Sequence, residues 1–244
     1  MARYQIDFYS KSLLRRVDIR VNIPSNNLHD SISMNDDYYE RREEKFPLVV
    51  FLCGFGENQV SWQTNTMVDL LLEKNKVAAI FVNGENKWYL NLSPIEKWYD
   101  FIENDILDFV YGNFRNVSRD MPLMIVGNSM GGYGALYHYL KNPSKYQACC
   151  ALSPATKPDY LDESKFGTLK ELFLANKDKK LNCYISVGDK DFIIDASKEF
   201  DKFLSDNGID ARYTYVKDYD HSWNLWKEEI YIVFDYFRKL GLIK

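Results

Sequence analysis

Pro122-Leu123-Met124-Ile125-Val126-Gly127-Asn128-Ser129-Met130-Gly131-Gly132-Tyr133-Gly134-Ala135-Leu136 is the stretch that decides the fold. Residues 122–126 are an apolar run that reads as a strand, and residues 132–136 read as the opening of a helix. Between them stands Gly-x-Ser-x-Gly. The pattern alone is common by chance; the flanking strand and helix are the context that a nucleophile elbow requires. In so tight a turn only glycine fits two residues either side of the serine. Ser129 is thereby put at the tip, beside the N-terminal amides of the next helix, where the amides and the helix dipole favour an oxyanion.

Outward from this turn, strands alternate with helices. Residues 3–9 and 13–23 read as a hairpin, with Val17, Ile19, Val21 and Ile23 in the period-2 pattern of a half-buried strand. Residues 24–45 are polar and charged, and read as a long surface loop. Phe46 to Cys53 is continuously apolar, as in a strand buried on both faces, and ends at Gly54-Phe55-Gly56-Glu57-Asn58. Trp62 to Asn75 reads as one helix with Met67, Leu70 and Leu71 on one side. Val77 to Val82 is a strand, followed by a loop with Trp88-Tyr89. Pro94 then opens a long amphipathic helix to about Phe114, with Trp98, Ile102, Ile106 and Phe109 spaced at three and four. After the elbow come strands at 146–152, 181–187 and 211–216, helices at 195–206 and 223–240, and a polar segment, 153–180, with one short helix near 169–175. That segment reads as a small lid or side wall. The whole, residues 1–244, reads as one α/β domain: a mostly parallel sheet, an N-terminal antiparallel hairpin and helices on both faces.

Composition narrows the function. The 244 residues carry 31 Lys and Arg against 35 Asp and Glu, a net charge of −4, which gives no electrostatic case for nucleic acid or an anionic membrane. No apolar run reaches the length of a membrane span, and the first residues lack the apolar core of a secretory signal, so the expected location is cytoplasmic. Cys53, Cys149, Cys150 and Cys183 lie in apolar runs without C-x-x-C spacing and read as reduced, buried thiols. His29, His138 and His221 are scattered without ligand spacing, so no metal is expected.

A serine hydroxyl needs a base, and the base an orienting acid. The acid and the base are expected after the serine in the chain, each on a loop following a strand. Asp191 follows the strand ending at Val187, and His221 the strand ending at Val216. C-terminal ends of parallel strands share one side of a sheet, so both loops reach the edge that carries Ser129. His138, two turns into the elbow helix, points away from that edge. Asp189 is the serious rival for the acid; loop position favours Asp191. Two donors are expected for an oxyanion: the N–H of Met130 and that of Phe55, whose flanking glycines let backbone approach a substrate. Trp88 and Trp223 are the candidate substrate contacts, while Trp226, on the last helix, reads as packing.

These segments, from about Phe46 to the C-terminus, resemble the α/β-hydrolase esterases that include tributyrin esterases, feruloyl (cinnamoyl) esterases and S-formylglutathione hydrolases. The resemblance is carried by Gly54-Phe55-Gly56-Glu57-Asn58 with Trp62, by Asn83-Gly84-Glu85-Asn86-Lys87-Trp88-Tyr89, by the elbow, and by Gly188-Asp189-Lys190-Asp191-Phe192 and His221-Ser222-Trp223-Asn224-Leu225-Trp226. It implies the α/β-hydrolase fold, Ser129, Asp191 and His221 as a triad, Phe55 and Met130 as oxyanion donors, no cofactor, and hydrolysis of short acyl esters, acetyl or feruloyl, on a small molecule or carbohydrate. The family usually has His-Gly where this chain has Cys53-Gly54, which bears on loop support. Asn128 replaces a common His or Leu and is expected to alter only packing. A thioesterase of the S-formylglutathione hydrolase kind, an acyltransferase to a sugar hydroxyl and a non-catalytic binding module on the same fold are the alternatives, and a homo-oligomer is compatible with all of them.

Overall fold

The computed structural model describes residues 1–25, 32, 43–158, 161–162 and 165–244. Most of the 24–45 stretch, His29 included, lies outside the described residues, as do 159–160 and 163–164 within the 153–180 segment.

Strands β1 (Ala2–Ser10) and β2 (Arg15–Ile23) pair antiparallel from Ala2 opposite Ile23 to Ser10 opposite Arg15. The central strands are β3 (Leu48–Leu52), β4 (Ala78–Val82), β7 (Leu123–Asn128), β8 (Ala148–Leu152), β9 (Cys183–Gly188) and β10 (Arg212–Val216). A two-stranded ribbon, β5 (Asn91–Ser93) with β6 (Glu96–Lys97), stands apart. The eight-stranded sheet runs β1-β2-β4-β3-β7-β8-β9-β10; β2 meets β4 antiparallel, and the pairs from β4 to β10 are parallel. Elbow strand β7 is therefore central, and the ends of β3, β7, β9 and β10 face one rim.

Alternation along each strand divides the apolar side chains between two cores. Leu48, Val50 and Leu52 of β3 join one core; Val49 and Phe51 join the other. Helices α3 (98–113), α4 (Met130–Lys141), α5 (Leu169–Ala175) and α6 (Ile194–Asp206) cover the first face. Helices α1 (Ser61–Asn65), α2 (Val68–Lys74) and α7 (Trp223–Lys239) cover the second. Helix α3 runs in three pieces, Trp98–Asp100, Phe101–Ile106 and Leu107–Asn113, the middle one a π-helical stretch.

Two helices differ from the sequence reading. The 62–75 helix is two, because Thr66 Oγ1 donates to the Trp62 carbonyl (2.6 Å) and accepts from the Val68 N–H (3.1 Å), which ends α1 and starts α2. The face of α2 turns accordingly: Val68, Leu71 and Leu72 are buried, while Met67 and Leu70 are exposed. Pro94 opens no helix. It lies between β5 and β6, and α3 begins at Trp98, where Asn91 ties the ribbon to Asp100 through Asn91 Nδ2 to Asp100 Oδ1 (2.9 Å) and Asp100 N to Asn91 Oδ1 (3.1 Å).

Candidate active site

Strand β7 passes into α4 through Ser129, whose φ of 53° and ψ of −118° are left-handed and sparsely populated for a residue with a Cβ. The surroundings hold it there. Its N–H donates to the Leu152 carbonyl (2.9 Å), and its own carbonyl accepts from Tyr133 N (3.1 Å) and Ala155 N (3.2 Å). A Cβ on Gly127 would lie 2.0 Å from the Gly131 carbonyl oxygen, which is why the strand can turn into the helix only over glycine.

The loops after β9 and β10 meet edge to edge. Asp189 N donates to Val216 O (2.9 Å) and Lys190 N to Tyr219 O (3.0 Å). Gly188 allows that approach, since a Cβ there would lie 2.1 Å from Tyr219 O. The junction brings Asp191 to His221: Nδ1 of His221 is 2.9 Å from both Asp191 carboxylate oxygens, and its Nε2 is 2.9 Å from Ser129 Oγ. The Asp191 side chain is fully buried, and that of His221 is 13% exposed. A carboxylate, which only accepts, fixes the proton on Nδ1 and leaves Nε2 to face the hydroxyl. The rings of Phe192 (4.5 Å between centroids) and Trp226 (5.2 Å) pack against the imidazole. Asp189, the rival acid, instead accepts from Asp218 N (2.7 Å) and braces the loop.

The two expected oxyanion amides lie on the same rim. Met130 is the first residue of α4, so its N–H has no carbonyl four residues back. In the turn after β3, the amides on either side of Phe55 are taken by side chains, Gly54 N by Glu57 Oε2 (3.0 Å) and Gly56 N by Asn86 Oδ1 (2.6 Å). Among the described residues the Phe55 N–H between them has no acceptor. Cys53 supports this turn in its own way: its Sγ–H reaches the Val82 carbonyl (3.4 Å), and its carbonyl accepts from the buried Tyr89 hydroxyl (2.7 Å). Asn128 does more than pack, since its Nδ2 donates to Glu57 Oε2 (3.2 Å).

Ser129 and His221 open into a cavity of about 220 Å³, walled by Phe55, Trp88, Met130, Pro158, Phe192 and Ile193, with Ala155 and Lys157 completing the lining. Trp88 is thus at the cavity. Trp223 is not among its lining residues: its indole N–H donates to Glu57 Oε1 (2.6 Å), and its ring packs on Trp62 and Trp226. A polar tip with a good acceptor behind the rim outcompetes exposure towards the cavity. The sequence reading gives Phe192, quoted only within the Asp191 motif, and Ile193 no place at a cavity; their position directly after Asp191 is the signal that marks them. His138 is buried in the core, with Nε2 on Tyr89 O (3.0 Å) and Nδ1 on Glu103 Oε1 (2.5 Å). Among the described residues no group of three or more His, Cys, Asp or Glu is placed to hold a metal ion, and no helix is long and apolar enough to cross a membrane.

A mostly parallel sheet with a serine elbow and with acid and imidazole loops on the rim beside it is the layout of the α/β-hydrolases. The chain belongs to the esterase family, whose model, Esterase, matches residues 25–233. It is a carboxylic ester hydrolase by that membership. It is 27% identical over 271 residues to an acetyl esterase of Caldicellulosiruptor saccharolyticus, covering 99% of this chain and 100% of that one. Among solved structures, it is similar to the S-formylglutathione hydrolase FrmB of Staphylococcus aureus, with 19% identity, a TM-score of 0.78, and 96% of this chain and 98% of that one covered. It is also similar to a ferulic acid esterase, with 17% identity, a TM-score of 0.77 and 96% of each chain covered.

Proposed function

We propose that this esterase cleaves short acyl esters by two-step acyl transfer through Ser129, His221 and Asp191. The observation that carries the reading is the unbroken line of 2.9 Å contacts from Ser129 Oγ through His221 to Asp191 at the floor of an apolar cavity. In the first step Ser129 Oγ bonds to the ester carbonyl carbon as Nε2 of His221 takes the hydroxyl proton. The oxyanion lies towards the Phe55 and Met130 amides, and the alcohol departs with the proton from Nε2. In the second step Nε2 takes a proton from water, the hydroxide bonds to the acyl carbon, and Oγ leaves as the proton returns. Asp191 holds the tautomer and balances the imidazolium.

The small cavity and its Phe55, Trp88 and Phe192 rings favour an acetyl or other short acyl group, and the likeness to an acetyl esterase agrees. Segment 153–180 serves as a side wall through Ala155, Lys157 and Pro158. Lys157, an exposed cation in that wall, favours a second reading in which the leaving group is an anionic thiol, that is, a thioester such as S-formylglutathione. The test is hydrolysis of p-nitrophenyl acetate and butyrate by the wild type and by Ser129→Ala. The expected loss in kcat is at least about 10³-fold; equal rates would remove the reading. Methyl ferulate, acetylated xylan and S-formylglutathione, compared by kcat/KM, then choose among substrates.

A further inference from the structure

Glu57 follows Phe55 by two residues and accepts three hydrogen bonds, each from a neutral donor on a different segment. Oε2 takes the Gly54 N–H (3.0 Å) and Asn128 Nδ2 (3.2 Å); Oε1 takes the Trp223 indole N–H (2.6 Å). The donors come from the turn after β3, the last residue of β7 and the first turn of α7. Each is a near neighbour of a group at the rim: Gly54 precedes Phe55, Asn128 precedes Ser129, and Trp223 follows His221 by two. Among the described residues no lysine or arginine pairs with Glu57 in an ion pair. Asn128 is fully buried and its Oδ1 has no partner, so its polar anchoring rests on Nδ2 and Glu57.

We propose that Glu57 is a positioning residue that sets the oxyanion turn, the serine elbow and the imidazole-bearing loop in one register. The proposal rests on the roles given above to Phe55, Ser129 and His221. A carboxylate suits the task because it has acceptor capacity on both oxygens for all three donors, and charge-assisted bonds are roughly twice as strong as neutral ones. Displacement of about 1 Å at such a site costs about a hundredfold in rate. Glutamine cannot replace the glutamate: its amide nitrogen would face either the Trp223 indole N–H or the Gly54 and Asn128 donors, a donor against a donor.

The experiment measures kcat and KM for p-nitrophenyl acetate, binding of an aryl trifluoromethyl ketone as a tetrahedral trap, and thermal unfolding. The proteins are the wild type, Ser129→Ala, Glu57→Gln, Glu57→Ala and Trp223→Phe. Expected for Glu57→Gln is a kcat lower by about ten- to a hundredfold with KM within about twofold, and trap binding weakened by a similar factor. Trp223→Phe, which removes one donor, lies between it and the wild type. Wild-type kcat and trap binding in Glu57→Gln and Trp223→Phe would overturn the proposal, as would a loss confined to KM or to the unfolding temperature. Those two variants decide the matter if Glu57→Ala does not fold. An inert wild type, or a Ser129→Ala as fast as wild type, defeats the underlying reading instead; an inert Ser129→Ala beside a fully active Glu57→Gln defeats only the role of Glu57.

Discussion

His221 is held on four sides. Asp191 takes Nδ1, Ser129 lies on Nε2, and the rings of Phe192 and Trp226 pack against it. The rings differ in freedom, since Phe192 is 80% exposed and Trp226 only 4%. The whole arrangement depends on two loops touching at Gly188. Gly188→Ala would press a methyl group into Tyr219 O and part the Asp191 and His221 loops. The expected result is a fall in kcat of at least about tenfold with KM little changed, read by steady-state kinetics on p-nitrophenyl acetate. That Ser129, Asp191 and His221 meet is legible in the sequence, because motif and strand ends fix where the backbone delivers them. Trp223 could not be placed that way. Whether an indole in the first turn of α7 faces a cavity or turns back to a carboxylate is decided by Glu57, 166 residues earlier in the chain.

Helix α3 carries a polar cluster into the core at its π-helical stretch. Glu103 accepts from Tyr146 Oη (2.7 Å) and Lys145 Nζ (2.7 Å) and meets His138 Nδ1. Burial by itself would raise this carboxyl, but the His138 hydrogen bond and the charges of His138 and Lys145 outweigh it and hold it at about 2, below the ordinary 4.5. The folded state thus binds this proton less readily than the unfolded chain. The stabilisation is complete above pH 4.5, is lost as pH falls towards about 2, and is on the order of 3 kcal/mol. Glu103→Gln should therefore unfold at lower temperature than wild type at neutral pH, with the gap narrowing over that acid range; parallel melting curves at every pH would refute it. Periodicity alone could not reveal this element in full. Spacings of three and four mark the apolar face of α3 but carry no sign of the π stretch, nor of the late start at Trp98, where Asn91 of β5 is bonded to Asp100. The buried strands were the easiest to read, because β3 and β4 are apolar at every position and admit little else in a parallel sheet.

Two cores lie one on each face of the eight-stranded sheet; Cys149 and Cys183 sit in one, Cys150 in the other, and Cys53 is buried in the turn after β3, all four free. Burial pushes the Cys53, Cys149 and Cys150 thiols up, further disfavouring the reactive thiolate. A thiol reagent such as dithionitrobenzoate should label none of the four in the folded protein and all four after denaturation; rapid labelling of the native protein would contradict the packing described. The cavity itself has two parts of unlike stiffness. At its floor the Ser129 side chain is carried on main chain pinned to Leu152 and Ala155, whereas at its mouth Phe55 and Phe192 stand largely in solvent. Selectivity is therefore separable from chemistry in this enzyme: laboratory evolution towards a bulkier acyl donor would find its useful substitutions around the mouth, and the floor would tolerate almost none.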